Sequence, residues 1–90
     1  MQVVENWAWA TCRLEAVHEQ GQGTELEATV ESTAPVQGFP DLLAQYTGKR
    51  VRIALGIPTA LPPGSRIRIK ASVAGPGVIR GDADSISAAG

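Results

Sequence analysis

The chain has little of what small proteins use for cross-linking, metal binding or acid–base chemistry. Its 90 residues include one cysteine, one histidine and one methionine. A single Cys12 allows neither an internal disulfide nor a cysteine-based zinc site, and it suits a reducing compartment. His18 has no serine or cysteine nucleophile at a recognisable catalytic spacing. We therefore expect no catalytic residues, no metal and no cofactor, and we predict that the protein is not an enzyme.

Long apolar runs and targeting segments are also absent. No window of the sequence approaches the roughly 20 apolar residues that a membrane helix requires. The first residues show neither a basic leader nor an apolar stretch of signal-peptide length. We expect no membrane partner, and a location inside a cell or inside a particle assembled there.

Bulky apolar side chains are scarce as well. Hydrophobic residues make up 43% of the chain, but 13 of them are alanine, and aromatic residues account for only 4%. A core of this size supports one small domain of modest stability. Ten glycines and six prolines favour turns and strands over a helix bundle. We expect one domain over residues 1–90, with residues 1–5 and 88–90 as flexible ends.

What is present is a series of short alternations of apolar and polar residues, which predict strands. A linker rich in proline and glycine follows the second strand, and Asp41 is placed to cap a short helix, Leu42–Tyr46, that ends at Gly48. The pattern predicts an all-β fold, a small antiparallel barrel of OB-like or SH3-like type with one short helix. The predicted strands are 7–18, 24–31, 50–55, 66–73, 78–80 and 85–87.

The net charge of −1 conceals a division of charge along the chain. Residues 1–48 hold one base and seven acids, and residues 49–90 hold seven bases and two acids, so the sums are −6 and +5. These charges either neutralise each other within one copy, through cross-strand pairs that also fix register, or form polar interaction surfaces. An acidic ladder is formed by Glu25, Glu27 and Glu31, and a basic ladder by Arg50, Arg52, Arg66, Arg68 and Lys70.

Trp7 and Trp9 lie on the same side of the first predicted strand. We expect one of them to fill the core and the other to anchor an interface, because tryptophan is enriched at binding hot spots. These features predict a structural or assembly module that forms a homo-oligomer, in which the acidic surface of one copy meets the basic surface of the next. The interface candidates are Trp7, Trp9, Glu25, Glu27, Glu31, Arg66, Arg68 and Lys70.

The alternative is an OB-fold module that binds single-stranded nucleic acid. Cations on the barrel strands could follow a phosphate backbone while an aromatic side chain stacks on the bases. The residues assigned to this function are Arg50, Arg52, Arg66, Arg68, Lys70 and Tyr46.

Several of these segments, in this order, resemble a known family. A Trp-Ala strand at 7–10 is followed by a glycine-containing turn, an acidic strand at 24–28, a basic strand at 50–53 and a Pro-Pro-Gly turn that leads into a second basic strand. Over residues 7–70 this order resembles that of small phage head-closure proteins, the head–tail connectors. The chain differs from them at 41–46 and 75–77. The resemblance implies a ring-forming barrel that joins a portal to a tail within a virion, without catalysis.

Overall fold

The structure is a computed structural model that describes residues 4–89, and it confirms the all-β fold. Two single 3-10 turns, Ala44–Tyr46 and Ala83–Ser85, connect or flank the strands. The strands are β1 (Ala8–Gln20), β2 (Gly23–Pro35), β3 (Arg50–Leu55), β4 (Arg66–Gly75), β5 (Val78–Gly81) and β6 (Ser87–Ala88).

Five of the strands close into a barrel. Their order is β1-β2-β3-β5-β4, and β4 returns to pair with β1, while β6 lies outside the ring against β4. The pairings are antiparallel except that β3 and β5 run parallel. Closure brings together residues that are far apart in the chain. Ala8 lies opposite Ala71, for example, and Arg13 lies opposite Arg66. A closed sheet leaves few unpaired strand edges.

The two longest strands each contribute to two walls of the barrel. β1 pairs with β2 along its length, and its first half also pairs with β4. Register shifts between Thr11 and Cys12 and between Leu14 and Ala16 mark β-bulges, which bend a strand and increase its twist. The hairpin between the strands turns at Gly21, whose φ of 60° lies in the left-handed region that glycine adopts without strain.

The core lies inside the barrel and follows the alternation seen in the sequence. The first three inward side chains of β1 are small, the fourth is a leucine, and each of the four residues is at most 1% exposed. Small residues fit there because the interior of a five-stranded barrel is narrow, and larger side chains of the other strands occupy the remaining space. In β2 and β3 the apolar positions of the alternation are the buried ones. The core residues of these three strands are Ala8, Ala10, Cys12 and Leu14, then Leu26, Ala28 and Val30, and then Val51, Ile53 and Leu55.

The predicted helix Leu42–Tyr46 is reduced to the single 3-10 turn Ala44–Tyr46. Asp41 nevertheless caps it, because its Oδ1 accepts hydrogen bonds from two backbone N–H groups of the turn at 3.0 and 3.1 Å. Its Oδ2 accepts a hydrogen bond of 2.8 Å from the hydroxyl of Thr33. The segment ends at Gly48 as predicted, with a φ of 81°. The helix ends after one turn because the backbone leaves the helical region at Thr47, with a φ of −56° and a ψ of 129°, and Gly48 and Lys49 then bond to the backbone of Val30 in β2.

The last strand lies slightly later than the predicted range 85–87. Residues beyond it are still bonded to the sheet, since the N–H of Ala89 donates to the carbonyl of Arg66 at 3.0 Å. Of the ends expected to be flexible, residues 1–3 and Gly90 lie outside the described residues.

Candidate functional site

The predicted site residues other than Tyr46 lie on two separate outer faces of the barrel. In each strand they alternate with buried residues, so their side chains point away from the core. The β2–β3 face consists of Glu25, Glu27, Arg50 and Arg52. The β1–β4 face consists of Trp7, Trp9, Arg13, Arg66, Arg68 and Lys70.

On the β2–β3 face, both arginines of β3 meet glutamates of β2. The Nη2 atom of Arg50 lies 2.9 Å from Oε2 of Glu27. The guanidinium of Arg52 lies 3.4 Å from Glu27 and 3.6 Å from Glu25. These are the cross-strand pairs that help to fix the register of β2 against β3.

Glu27 is the centre of this cluster. In addition to the two arginines, Nε2 of His18 lies 3.6 Å from Oε1 of Glu27. The hydrogen bond from Arg50 holds the pKa of Glu27 below its ordinary value of 4.5. Partial desolvation opposes this shift, while the charges of Arg50, His18 and Arg52 reinforce it. The carboxylate therefore stays ionised, and the face is largely neutralised by its own residues.

The third glutamate of the acidic ladder reaches the other face. Oε1 of Glu31 lies 2.8 Å from Nε of Arg66, although β1 runs between β2 and β4. Glu31 can reach across because it is the extra residue of a β-bulge and has no partner in β1. Further along β4, Nζ of Lys70 lies 3.9 Å from Oδ2 of Asp82. Most of the acidic and basic ladder residues therefore pair within one copy, which is one of the two arrangements left open by the sequence.

Both tryptophans lie on the outer surface and are half-buried. The expectation that one of them fills the core is wrong, because both occupy outward positions next to the small inward alanines of β1. The guanidinium carbon of Arg68 lies 4.1 Å from the ring centroid of Trp9, which is a cation–π geometry. The ammonium of Lys70 lies 6.0 Å from the ring centroids of both Trp7 and Trp9. Two indoles and two cations thus form one continuous group.

Tyr46 does not join the basic residues with which the nucleic-acid hypothesis grouped it. Its hydroxyl accepts a hydrogen bond of 3.1 Å from the N–H of Gly77, in the turn between β4 and β5. Its ring packs against the core and lines a shallow depression of about 300 Å³ together with Leu42, Val73 and Pro76. The structure gives Tyr46 a role in holding this end of the barrel.

Asn6 is a buried polar residue that the sequence reasoning missed. It is 1% exposed and exchanges two hydrogen bonds with the backbone of Val73, since its Oδ1 accepts at 2.8 Å and its Nδ2 donates at 2.9 Å. The Nδ2 group also donates to the carbonyl of Val4 at 2.8 Å. The side chain thus continues the pairing with β4 beyond Ala8 and holds the backbone next to Trp7. A single asparagine before a strand carries no sequence signal of such a role.

Cys12 is unsuited to thiol chemistry. It is fully buried, and burial raises the pKa of its thiol to about 12, with a further contribution from the charge of Glu31. A thiol with such a pKa stays protonated and unreactive at neutral pH. Across residues 4–89, no group of three His, Cys, Asp or Glu side chains is placed to hold a metal ion.

Comparison with known proteins gives no family for the chain. No protein-family model matches it, and neither a curated protein nor a solved structure matches it. Within the part of the chain that the structure describes, no helix has the length and apolar character needed to cross a membrane. What the protein binds therefore has to be inferred from the β2–β3 face and the β1–β4 face.

Proposed function

We propose that the protein is a non-enzymatic assembly module that docks onto a partner protein through the β1–β4 face. The observation that carries the proposal is a pair of neighbouring, half-buried tryptophans on the outer wall of a closed barrel, with Arg68 stacked on Trp9. Tryptophan and arginine dominate binding hot spots, because they bury a large area and keep a polar group that can bond at the interface.

The size of the molecule suits this function. A stable protein–protein interface covers about 800 Å² on each partner, which is about 15% of the 5263 Å² of accessible surface on this chain. A domain with a small, alanine-rich core is stabilised further by any partner that binds only its folded form. Docking would therefore contribute both attachment and stability.

The β2–β3 face is a poorer docking surface. Its glutamates and arginines already pair with one another, and burying these pairs under a partner would require their desolvation. The proposal therefore does not include contacts between Glu25 or Glu27 of one copy and the bases of another. Glu31 is engaged with Arg66 in the same way.

The resemblance over residues 7–70 suggests a specific form of this function. The module would be a subunit of a virion head–tail connector. In that form the chain would be one subunit of a homo-oligomeric ring, located within the assembled particle. The support for this form is the order of sequence segments, together with a barrel small enough to repeat around a ring.

A second candidate is the binding of single-stranded nucleic acid. We infer that the strand order, with its parallel β3–β5 pair, corresponds to an OB-type barrel, a fold that binds oligonucleotides. Trp7 and Trp9 could stack on bases while Arg68 and Lys70 neutralise phosphates. This candidate comes second because Arg50, Arg52 and Arg66, three of the five bases assigned to it, are engaged by glutamates.

A photo-cross-linking side chain at Ser32 tests the proposal. Ser32 is exposed and lies opposite Thr11, beside the β1–β4 face, whereas Ala54 is exposed on β3 and serves as the control position. In the cells that make the protein, we expect a discrete protein adduct from position 32 but none from position 54. The adduct should disappear in Trp9→Ala.

Two results would contradict the docking function. The first is the absence of a protein adduct from position 32 under conditions in which the chain is folded. The second is an adduct that nucleases remove, which would favour the nucleic-acid candidate instead.

A further inference from the structure

The β1–β4 face carries more positive charge than its own carboxylates neutralise. Four bases lie on it, two carboxylates pair with them, and a third carboxylate, that of Glu15, accepts a hydrogen bond from Thr29 beside Arg13, so the face has a net charge of about +1 at neutral pH by this count. Among residues 4–89, no carboxylate lies within 4.0 Å of Arg13 or Arg68. The bases are Arg13, Arg66, Arg68 and Lys70, and the two paired carboxylates are those of Glu31 and Asp82.

Two of these bases are directly opposed. Arg13 of β1 is the cross-strand partner of Arg66 of β4. Like charges directly opposite each other in a sheet are destabilising. Arg66 is partly compensated by Glu31, but Arg13 has no such partner among the described residues. An anion that lies over both arginines would relieve this repulsion. The free protein therefore retains an unfavourable charge–charge interaction that a ligand can remove.

We propose that the β1–β4 face binds an extended acidic segment of the partner, with carboxylates on alternate residues. This proposal rests on the docking function described above and names the chemistry of the partner. Arg66 and Arg68 are two residues apart in one strand, so their Cα atoms are separated by about 6.6 Å along it. Alternate side chains of an extended segment repeat at the same distance. One carboxylate would lie over Arg13 and Arg66, the next over Arg68, and an apolar side chain beyond them over Trp9.

An acidic polypeptide fits this face better than a nucleic-acid backbone. Glu31 and Asp82 lie beside Arg66 and Lys70, at either end of the row of bases on β4. A phosphate backbone carries a negative charge at every nucleotide and would pass both carboxylates. A polypeptide, by contrast, can carry its negative charges opposite Arg13 and Arg68, which have no carboxylate within 4.0 Å among residues 4–89. It can carry neutral residues at the other positions.

Titration of the full chain with synthetic peptides tests the inference. The probe is a peptide that alternates glutamate with threonine, its control has glutamine in place of glutamate, and oligothymidylate is the third ligand. Tryptophan fluorescence reports binding at the β1–β4 face. We expect the glutamate peptide to bind at low ionic strength, more tightly than the glutamine peptide, and to weaken as salt screens the charges.

Charge-neutralising variants locate the binding site. Arg13→Gln and Arg68→Gln should each weaken binding of the glutamate peptide about threefold, and the double variant about tenfold, as expected for exposed ion pairs. Lys49→Gln is the matched control, because Lys49 is exposed outside this face, and its affinity should equal that of the wild type. Thermal unfolding shows whether each variant folds, and Arg13→Gln should melt at or above the wild-type temperature because it removes a like-charge pair.

Equal affinity for the two peptides, no binding of either peptide, or binding of oligothymidylate alone would overturn the inference. An unchanged affinity in the double variant would do the same. These failures are distinct from failure of the docking function. If position 32 still gives its protein adduct, the docking function stands and only the acidic chemistry of the partner is wrong.

Discussion

Asn6 and Gly23 show how a single side chain, or the lack of one, determines where strands can pair. Asn6 substitutes for a backbone partner at the point where the β1–β4 ladder ends, and it satisfies both polar groups of Val73. Gly23 lies at the start of β2, where the carbonyl oxygen of Leu55 approaches so closely that a Cβ would lie 2.5 Å from it. In both places the constraint is imposed by backbone atoms, which cannot move without breaking the sheet.

Replacement of Asn6 by alanine should destabilise the fold by about 1–3 kcal/mol, because it leaves the buried N–H and carbonyl of Val73 without partners. Urea unfolding followed by circular dichroism measures the change. Gln45→Ala is the control, since the Gln45 side chain also bonds to a backbone carbonyl but is exposed, and it should change stability little. Equal effects of the two substitutions would contradict this role of Asn6.

Replacement of Gly23 by alanine should also cost about 1–3 kcal/mol, because the added methyl group forces β2 away from β3. The matched control is Gly56→Ala. A Cβ at Gly56 meets no atom within 4 Å, and its φ lies outside the left-handed region, so alanine should be neutral or slightly stabilising there. A Gly23 variant as stable as the Gly56 variant would show that the strands can separate without cost.

Among the strands, the pairing of β2 with β3 has the strongest electrostatic component. Its register brings Glu27 within reach of both Arg50 and Arg52, and the β1–β2 pairing adds His18. A shift of one residue would turn these side chains inward and expose Leu26 and its neighbours, so the charges and the core favour the same register. The β2–β3 face therefore stabilises the barrel, and the β1–β4 face is the one that we propose for binding.

Glu27→Gln should make stability less dependent on acid pH. The folded-state pKa of Glu27 lies below its ordinary value of 4.5, so the ionised carboxylate stabilises the fold above that pH. The contribution is lost as the pH falls through the lowered folded-state pKa. We expect the variant to melt below the wild type at neutral pH, and the gap to narrow in acid. Glu19→Gln is the control, because Glu19 has no ion pair within residues 4–89. A gap that stays constant with pH would contradict this assignment.

The molecule as a whole depends on contacts between distant parts of the chain. The barrel closes only when β4 pairs with β1, and that pairing sets Trp9 opposite Lys70. Closure also places the two tryptophans among the cations of β4, so the proposed binding face exists only in the fully closed fold. Binding at this face and closure of the barrel should therefore be coupled.

We expect folding to take milliseconds to seconds, because topologies dominated by long-range strand pairing fold slowly. Stopped-flow tryptophan fluorescence measures the rate, since both indoles lie where β1 meets β4. Trp7→Phe leaves Trp9 as the reporter beside Arg68 and should give the same rate constant. Complete folding within microseconds would show that closure of the barrel is not the slow step.

Local pattern was sufficient for much of the fold. The β3 strand has the predicted bounds because strict alternation is bracketed by glycines. β2 extends to Pro35, four residues beyond its predicted end, because Ser32, Thr33 and Ala34 pair with β1 despite their loop-like composition. The predicted helix shortened to one turn because Gly48 and Lys49 bond to the backbone of Val30 in β2. Both deviations, in β2 and in the helix, came from contacts with other strands, which the local sequence of a segment does not show.

The candidate site was predictable only as a set of residues. Period-two spacing correctly placed Arg66, Arg68 and Lys70 on one side of a strand. It could not show that Glu31 would reach Arg66 across β1, since that contact requires a β-bulge. It also assigned Trp7 or Trp9 to the core, because hydrophobicity indicates burial but does not indicate which side of β1 faces inward.

The sequence by itself determined which residues share a side of each strand, because side chains alternate along an extended backbone whatever surrounds it. Only the tertiary structure decided which strands are neighbours, and with them the partner of each charge. That information lies in the closure of the barrel, where residues more than 50 positions apart meet. The acidic and basic ladders therefore neutralise each other mostly within one copy, while Arg68 stacks on the half-buried Trp9 and, like Arg13, has no carboxylate within 4.0 Å among residues 4–89.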